Sequence, residues 1–252
     1  MSLTNSAFRQ NVGTNWSTVL DDVLKAAKNS PCNACPPASG ITLAFPSMEK
    51  HLEIVDYFVT NFQANEKADK FFFWMRGKKK GGGMLADGSP LKSEMAQTLH
   101  ELKRRNLIEI DINQFGAKYT TSPAAGTSRE SDILLADGIT HIELKNIPYT
   151  ANSTPSTQAI DQVIGQNGAF GNISILSEFE WVAYANRGNT TTDLKTMWKK
   201  VFSNTDASQG PTKTQIFNNM SGALKGNLNL MFASDLNSSK IDEILNEIIK
   251  AE

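Results

Sequence analysis

Residues 130–148 read ESDILLADGITHIELKNIP. The acidic Asp132 opens an apolar run, Ile133-Leu134-Leu135, and Asp137-Gly138 then marks a turn. A second run follows, His141-Ile142-Glu143-Leu144-Lys145. Two short runs of strand-forming residues around Asp-Gly predict a β-hairpin. Side chains alternate along a strand, so Glu143 and Lys145 share one face while Ile142 and Leu144 share the other. A carboxylate and an ammonium two residues apart, with a second carboxylate on the neighbouring strand, can hold a divalent cation beside a lysine.

Upstream of the hairpin, Ser93 is placed to cap a helix over residues 94–105, with Met95, Leu99 and Leu102 as its apolar stripe. Residues 107–112 (LIEIDI) alternate and predict a strand. Downstream, residues 157–167 predict a helix broken by Gly168 and Gly171, and residues 179–185 (FEWVAYA) predict another strand. The order is therefore helix, three strands, helix, strand. Towards the N-terminus, residues 15–29 and 48–62 predict amphipathic helices, the second capped by Ser47, with a short strand at 41–45 between them. The aromatic run 70–76 is either a buried strand or a short core helix. Towards the C-terminus, residues 193–202, 212–224 and 240–250 predict helices, with an edge strand at 228–233. No repeat of fixed period is present.

Composition sets the outer bounds. A chain of 252 residues allows one large domain, or a core with a smaller appendage. With 25 basic and 26 acidic residues the net charge is −1, so binding to a polyanion would need a local basic surface. No apolar stretch reaches the roughly 18 residues that span a membrane, and MSLTNSAFRQ lacks a basic segment followed by an apolar one. The expected location is cytoplasmic, with export by a machinery that uses no cleaved signal left open. Cys32 and Cys35 form a CxxC pair without a second pair or an HxxxH to complete a zinc site. A disulfide, a metal or redox role and a purely structural role all stay open for them.

The order of elements, with Asp132 followed by Glu143-Leu144-Lys145, resembles the PD-(D/E)xK phosphodiesterase superfamily. The matching segment runs over residues 93–185. The resemblance implies an α/β, restriction-endonuclease-like αβββαβ core, with a mixed central sheet flanked by helices. Helical additions at both ends complete the expected layout: an N-terminal mainly helical region 1–76, the nuclease core 77–190, and a C-terminal helical extension 191–252 packing on it. Asp132 matches the lone acidic residue of the second core strand. Glu143 and Lys145 match the acid and the lysine of the ExK triplet. Glu94 matches an acidic residue at the start of the preceding helix that many members use to complete the metal shell. Ser131 stands where the motif's name has proline. Gln158, Gln162 and Gln166 fall on one face of the next helix, and Gln162 best matches a polar residue that touches the lysine or a phosphate.

The chemistry explains these residue types. Phosphodiester hydrolysis needs an activated water and stabilisation of a highly anionic phosphorane. Mg²⁺, with Mn²⁺ as a substitute, takes carboxylate and carbonyl oxygens. Asp132 and Glu143 are the expected ligands, joined by the Leu144 carbonyl and Glu94. Lys145 is expected to orient or help deprotonate the water and to offset developing charge. The plain alternative is a surface strand with a cross-strand salt bridge, worth at most about 1 kcal/mol. For Glu94, a carboxylate placed against a helix dipole explains the residue equally well.

Other features have two readings each. Lys78, Lys79 and Lys80, set among glycines, form either a solvated loop or a phosphate-contacting one. Lys103, Arg104 and Arg105 either complement a helix C-terminus or face DNA. Lys195, Lys199 and Lys200 form a similar patch. His141 shares the face of Glu143, so it either approaches the site or is a partly buried structural histidine. The expected activity is a Mg²⁺-dependent endonuclease acting on double-stranded DNA, read as a type II restriction enzyme with room for a homodimer. A toxin or effector nuclease, and a non-catalytic nucleic-acid-binding module on the same fold, are the alternatives.

Overall fold

A computed structural model describes residues 48–62, 93–119, 130–145, 147–165, 167–184 and 188–251. The predicted elements at 15–29, 41–45 and 70–76, the Lys78–Lys80 loop, Cys32 and Cys35 lie outside the described residues. The chain divides into two compact units, Met1–Phe115 and Gly116–Glu252. Among the described residues, no helix is long and apolar enough to cross a membrane.

In the first unit, helix α1 spans Met48–Asn61 and helix α2 spans Ser93–Arg104. Ile54, Val55, Phe58, Val59 and Phe62 recur at helical spacing, and all are fully buried, as are Ala96, Leu99 and Leu102 of α2. Phe58 stacks on Phe62 with ring centroids 4.4 Å apart. The strand predicted at 107–112 does not form. Asp111 instead accepts the Ile108 N–H at 2.9 Å while its own N–H returns to the Ile108 carbonyl, closing a short 3₁₀ turn at Glu109–Asp111. Ile108 and Ile110 stay exposed there, so their alternation has no face to bury. The strand, β1, begins at the end of that segment and spans Ile112–Lys118.

The second unit carries strands β2 (Glu130–Leu135), β3 (His141–Lys145), β4 (Phe179–Ala183) and β5 (Ile249–Ala251). Helix α3 spans Thr157–Ile164, α4 Thr191–Phe202, α5 Lys213–Asn219, α6 Gly222–Asn227 and α7 Ser238–Ile248. The five strands form one sheet in the order β1-β2-β3-β4-β5. β2 runs antiparallel to β3, while β3, β4 and β5 run parallel. This is a mixed α/β architecture with helices packed on the sheet, in which β1 at Ile112–Lys118 stands in place of the strand predicted at 107–112.

Local chemistry explains the connections. In the β2–β3 turn, Asp137 Oδ1 accepts the N–H groups of Ile139 and Thr140 at 2.9 Å, and Gly138 takes a positive φ of 75°. Ser156 caps α3 by accepting the Ala159 N–H at 3.1 Å. That helix stops at Ile164, short of the predicted 167, because the chain folds back over its last turn. A Cβ at Gly168 would lie 2.3 Å from the Asp161 carbonyl oxygen.

The predicted helix 212–224 is two helices. Ser221 breaks it by donating to the carbonyls of Phe170 and Ile173 and by capping α6. The strand predicted at 228–233 is a turn instead. Asn229 takes a positive φ of 55°, and Asp235 accepts the N–H groups of Met231 and Phe232 at 2.7 and 2.8 Å. After α7 the chain adds β5, an element the helical pattern of 240–250 did not predict, pairing Ile249 with Trp181.

One face of the sheet forms the core of this unit. Phe179, Trp181, Ala183 and Ile249 pack with Val163 and Ile164 of α3, Leu194, Trp198 and Phe202 of α4, and Ile241, Ile244 and Ile248 of α7. Trp181 meets Trp198 edge-on, with ring centroids 5.5 Å apart. Each fully buried aliphatic or aromatic side chain contributes roughly 1.5–3 kcal/mol, so α4 and α7 are integral to the unit.

Candidate active site at the β2–β3 hairpin

The hairpin register pairs Ile133 with Ile142 and Leu134 with His141. His141, Glu143 and Lys145 share one face of β3, and Asp132 lies on the neighbouring strand, one residue before the paired Ile133. The other face carries Ile133, Ile142 and Leu144, all buried. The same register would send the Leu144 N–H to Ser131, but the Asp132 carboxylate accepts it, Oδ2 lying 2.7 Å from the nitrogen. In an extended strand the N–H and C=O of one residue leave on the same edge, so the Leu144 carbonyl emerges beside Asp132.

Asp132 and Glu143 are 2% and 1% exposed. That depth removes the solvated cross-strand salt bridge as an explanation. The Lys145 ammonium donates to Glu143 Oε1 and, at 2.9 Å, to Gln162 Oε1. Gln162 in turn donates from Nε2 to the Glu130 carbonyl at 3.3 Å. The amide thus bridges α3 and β2 and gives the lysine head a second acceptor beside its carboxylate. Gln162 is buried, Gln158 is exposed, and Gln166 lies outside the described residues.

With all three side chains ionised, Asp132, Glu143 and Lys145 would carry one net negative charge in a buried setting. Two ionised carboxylates across one ladder repel each other, and a divalent cation between them removes that cost. Each carboxylate has about four acceptor positions, so the bonds to Leu144 and Lys145 exhaust neither. The donor set is all oxygen, with a backbone carbonyl at hand, and fits a hard cation such as Mg²⁺. Glu94 lies in the first turn of α2, and its side chain is outside the described residues.

Ser131, in the motif's proline position, is fully buried. Its hydroxyl donates to the Ala117 carbonyl at 3.3 Å and lies 2.7 Å from His141 Nδ1. Which of the two donates depends on the histidine tautomer. Burial lowers the His141 pKa, against the opposing pull of Asp137 and Glu178. Its position between Ser131 and the Tyr119 ring, 4.7 Å away, fits the structural reading of this histidine.

Two tyrosines flank the carboxylates, and the sequence patterns did not point to either. The Tyr119 hydroxyl is buried without a hydrogen-bond partner among the described residues. Burial pushes its pKa well above the usual value, and Glu143 and Asp132 push the same way. Tyr149 follows β3, and its hydroxyl is likewise buried without a partner. Burial raises its pKa; the Lys145 ammonium pulls it down and Glu143 raises it further. Asn189 holds this segment: Oδ1 accepts the Tyr149 N–H at 2.7 Å, and Nδ2 donates to the carbonyls of Ile147 and Tyr184 at 3.0 and 2.9 Å.

Among the described residues, the two proposed basic patches on helices α2 and α4 make contacts within the protein. Arg104 donates to both oxygens of the buried Glu101 at 2.8 and 3.1 Å, and Lys103 meets Glu53 at 2.8 Å. Lys195 donates to Asn246, Lys199 to Asp242 and Lys200 to the Ala151 carbonyl. Comparison with models of protein families, with curated proteins and with solved structures gives no match.

Proposed function

We propose that the protein is a metal-dependent endonuclease that hydrolyses phosphodiester bonds of double-stranded DNA, in the manner of a type II restriction enzyme. The observation that carries this reading is the buried Asp132–Glu143 pair with Lys145 fixed between Glu143 and Gln162. The sheet order supports it, because it sets those residues on adjoining inner strands as the PD-(D/E)xK resemblance implies. Asp132, Glu143 and the Leu144 carbonyl would hold the cation. When bound, Mg²⁺ supplies the charge that acidifies a nearby water and polarises the phosphoryl oxygen. Lys145 orients the attacking water and offsets charge on the phosphorane. Gln162 keeps the ammonium in that position, and burial strengthens each of these interactions by excluding bulk water.

A plasmid-cleavage assay tests the reading. Wild type is expected to nick or linearise supercoiled plasmid with Mg²⁺ or Mn²⁺ and to be inert in EDTA. Glu143→Ala and Lys145→Ala are expected to lose at least about 100-fold in rate, with the folded circular-dichroism spectrum retained. Cleavage at the wild-type rate by Glu143→Ala refutes the site. Metal-dependent DNA binding without cleavage by wild type replaces the reading with that of a binding module.

A further inference from the structure

We propose that Tyr149 is a phosphate-contacting residue of this site, donating its hydroxyl proton to a non-bridging oxygen of the phosphodiester beside Lys145; the inference rests on the nuclease reading. Native proteins pair almost all buried polar groups, and an orphan calls for an explanation. Tyr149 is 5% exposed, yet its hydroxyl has no hydrogen-bond partner among the described residues. Its place is fixed from two sides. The ring packs on Trp181 at 5.5 Å between centroids, and Trp181 registers with Glu143 on the same sheet face. The backbone is tied by Asn189, which is itself buried and bonded to both Ile147 and Tyr184. The adjoining Ala151 is anchored to α4 through Asp193 and Lys200. A donor is thus held still, beside a cation, with no acceptor among the described residues.

The charges nearby select the ligand. Both Lys145 and Glu143 act on the Tyr149 hydroxyl, whereas the charges that act on Tyr119 are the carboxylates of Glu143 and Asp132. An anion is therefore accepted on the Tyr149 side, where the ammonium attracts it, and repelled on the Tyr119 side. A neutral phenol suits a phosphodiester oxygen: it donates one hydrogen bond without adding a second cation to the pocket.

The test uses Tyr149→Phe in the full chain. Binding is read by filter retention of end-labelled plasmid fragments with Ca²⁺ in place of Mg²⁺, cleavage by the plasmid assay, and stability by thermal melting. The variant is expected to weaken Ca²⁺-dependent retention about 10- to 100-fold, the size of a hydrogen bond to a charged group. Its Tm is expected to be unchanged or higher, because the substitution deletes an unsatisfied buried hydroxyl. If wild type cleaves and Tyr149→Phe binds and cleaves equally well, this inference falls and the nuclease reading stands. A lowered Tm also overturns it, since the hydroxyl then serves the fold. If wild type shows neither metal-dependent retention nor cleavage, both fall together.

Discussion

Gln162 gives the sharpest test of how the lysine is held. Gln162→Leu keeps the volume of the side chain and deletes both of its hydrogen bonds. One is to a charged donor, Lys145 at 2.9 Å, and the other is to the Glu130 carbonyl at 3.3 Å. A bond to a charged group is worth about 1.5–3 kcal/mol and a longer neutral one about 0.5–1, so the expected loss is roughly 2–4 kcal/mol. For a chain of this length that lowers Tm by about 4–16 °C. Gln162→Glu keeps an acceptor for Lys145 but turns a carboxylate towards the Glu130 carbonyl, so it is expected to recover part of the loss only. Urea denaturation of Gln162→Leu, Lys145→Met and the double variant closes a mutant cycle. The expected coupling is about 1–2 kcal/mol. Additivity within about 0.5 kcal/mol would show that the two side chains do not support each other, and the assignment of Gln162 as a positioning residue would be wrong.

Two further outcomes follow from residues away from the hairpin. His100 has its pKa lowered from 6.5 to about 4, chiefly by burial and then by Lys50, with Glu101 opposing. As pH falls from 6.5 towards 4 the unfolded chain takes up the proton first, so stability is kept above 6.5 and lost progressively below it. An NMR titration should find the His100 ring neutral at pH 5.5, and His100→Gln should flatten the stability profile between pH 6.5 and 4; a midpoint near 6.5 contradicts the burial argument. Gly168→Ala places a methyl 2.3 Å from the Asp161 carbonyl oxygen and should cost about 1–3 kcal/mol, seen as a lowered Tm. An unchanged Tm would mean that the turn after α3 yields without cost.

The hairpin was legible because its signals agree: Asp-Gly for the turn, β-formers on both sides, and a charged face opposite an apolar one. That Glu143 and Lys145 share a strand face was legible from the same alternation, whereas Gln162 was singled out among Gln158, Gln162 and Gln166 only through the family resemblance. LIEIDI carried an equally regular alternation and was misread. Nothing in it reveals that Asp111 captures the Ile108 N–H, or that Ile110 has no surface to pack against. β5 was hidden inside a helical period, because Ile248 and Ile249 suit either element and only pairing with β4 decides. The roles of Tyr119, Tyr149 and Asn189 were invisible for a further reason. They depend on groups that meet only in the fold, such as Asn189 with Tyr149 across forty positions of sequence.

The pairing of Trp181 with Ile249 has a consequence for synthesis on the ribosome. β4 leaves the tunnel as the outer strand of an unfinished sheet, with FEWVA offering open donors and acceptors on one edge. At roughly 5–20 residues per second, the strand that covers this edge is made about 3–14 s later. Over that interval a nascent chain presents an aromatic, sticky border to its neighbours on a polysome. Slower translation of residues 184–248, or a shortage of chaperones that shield such borders, is expected to lower the soluble yield without altering the stability of molecules that reach the native state.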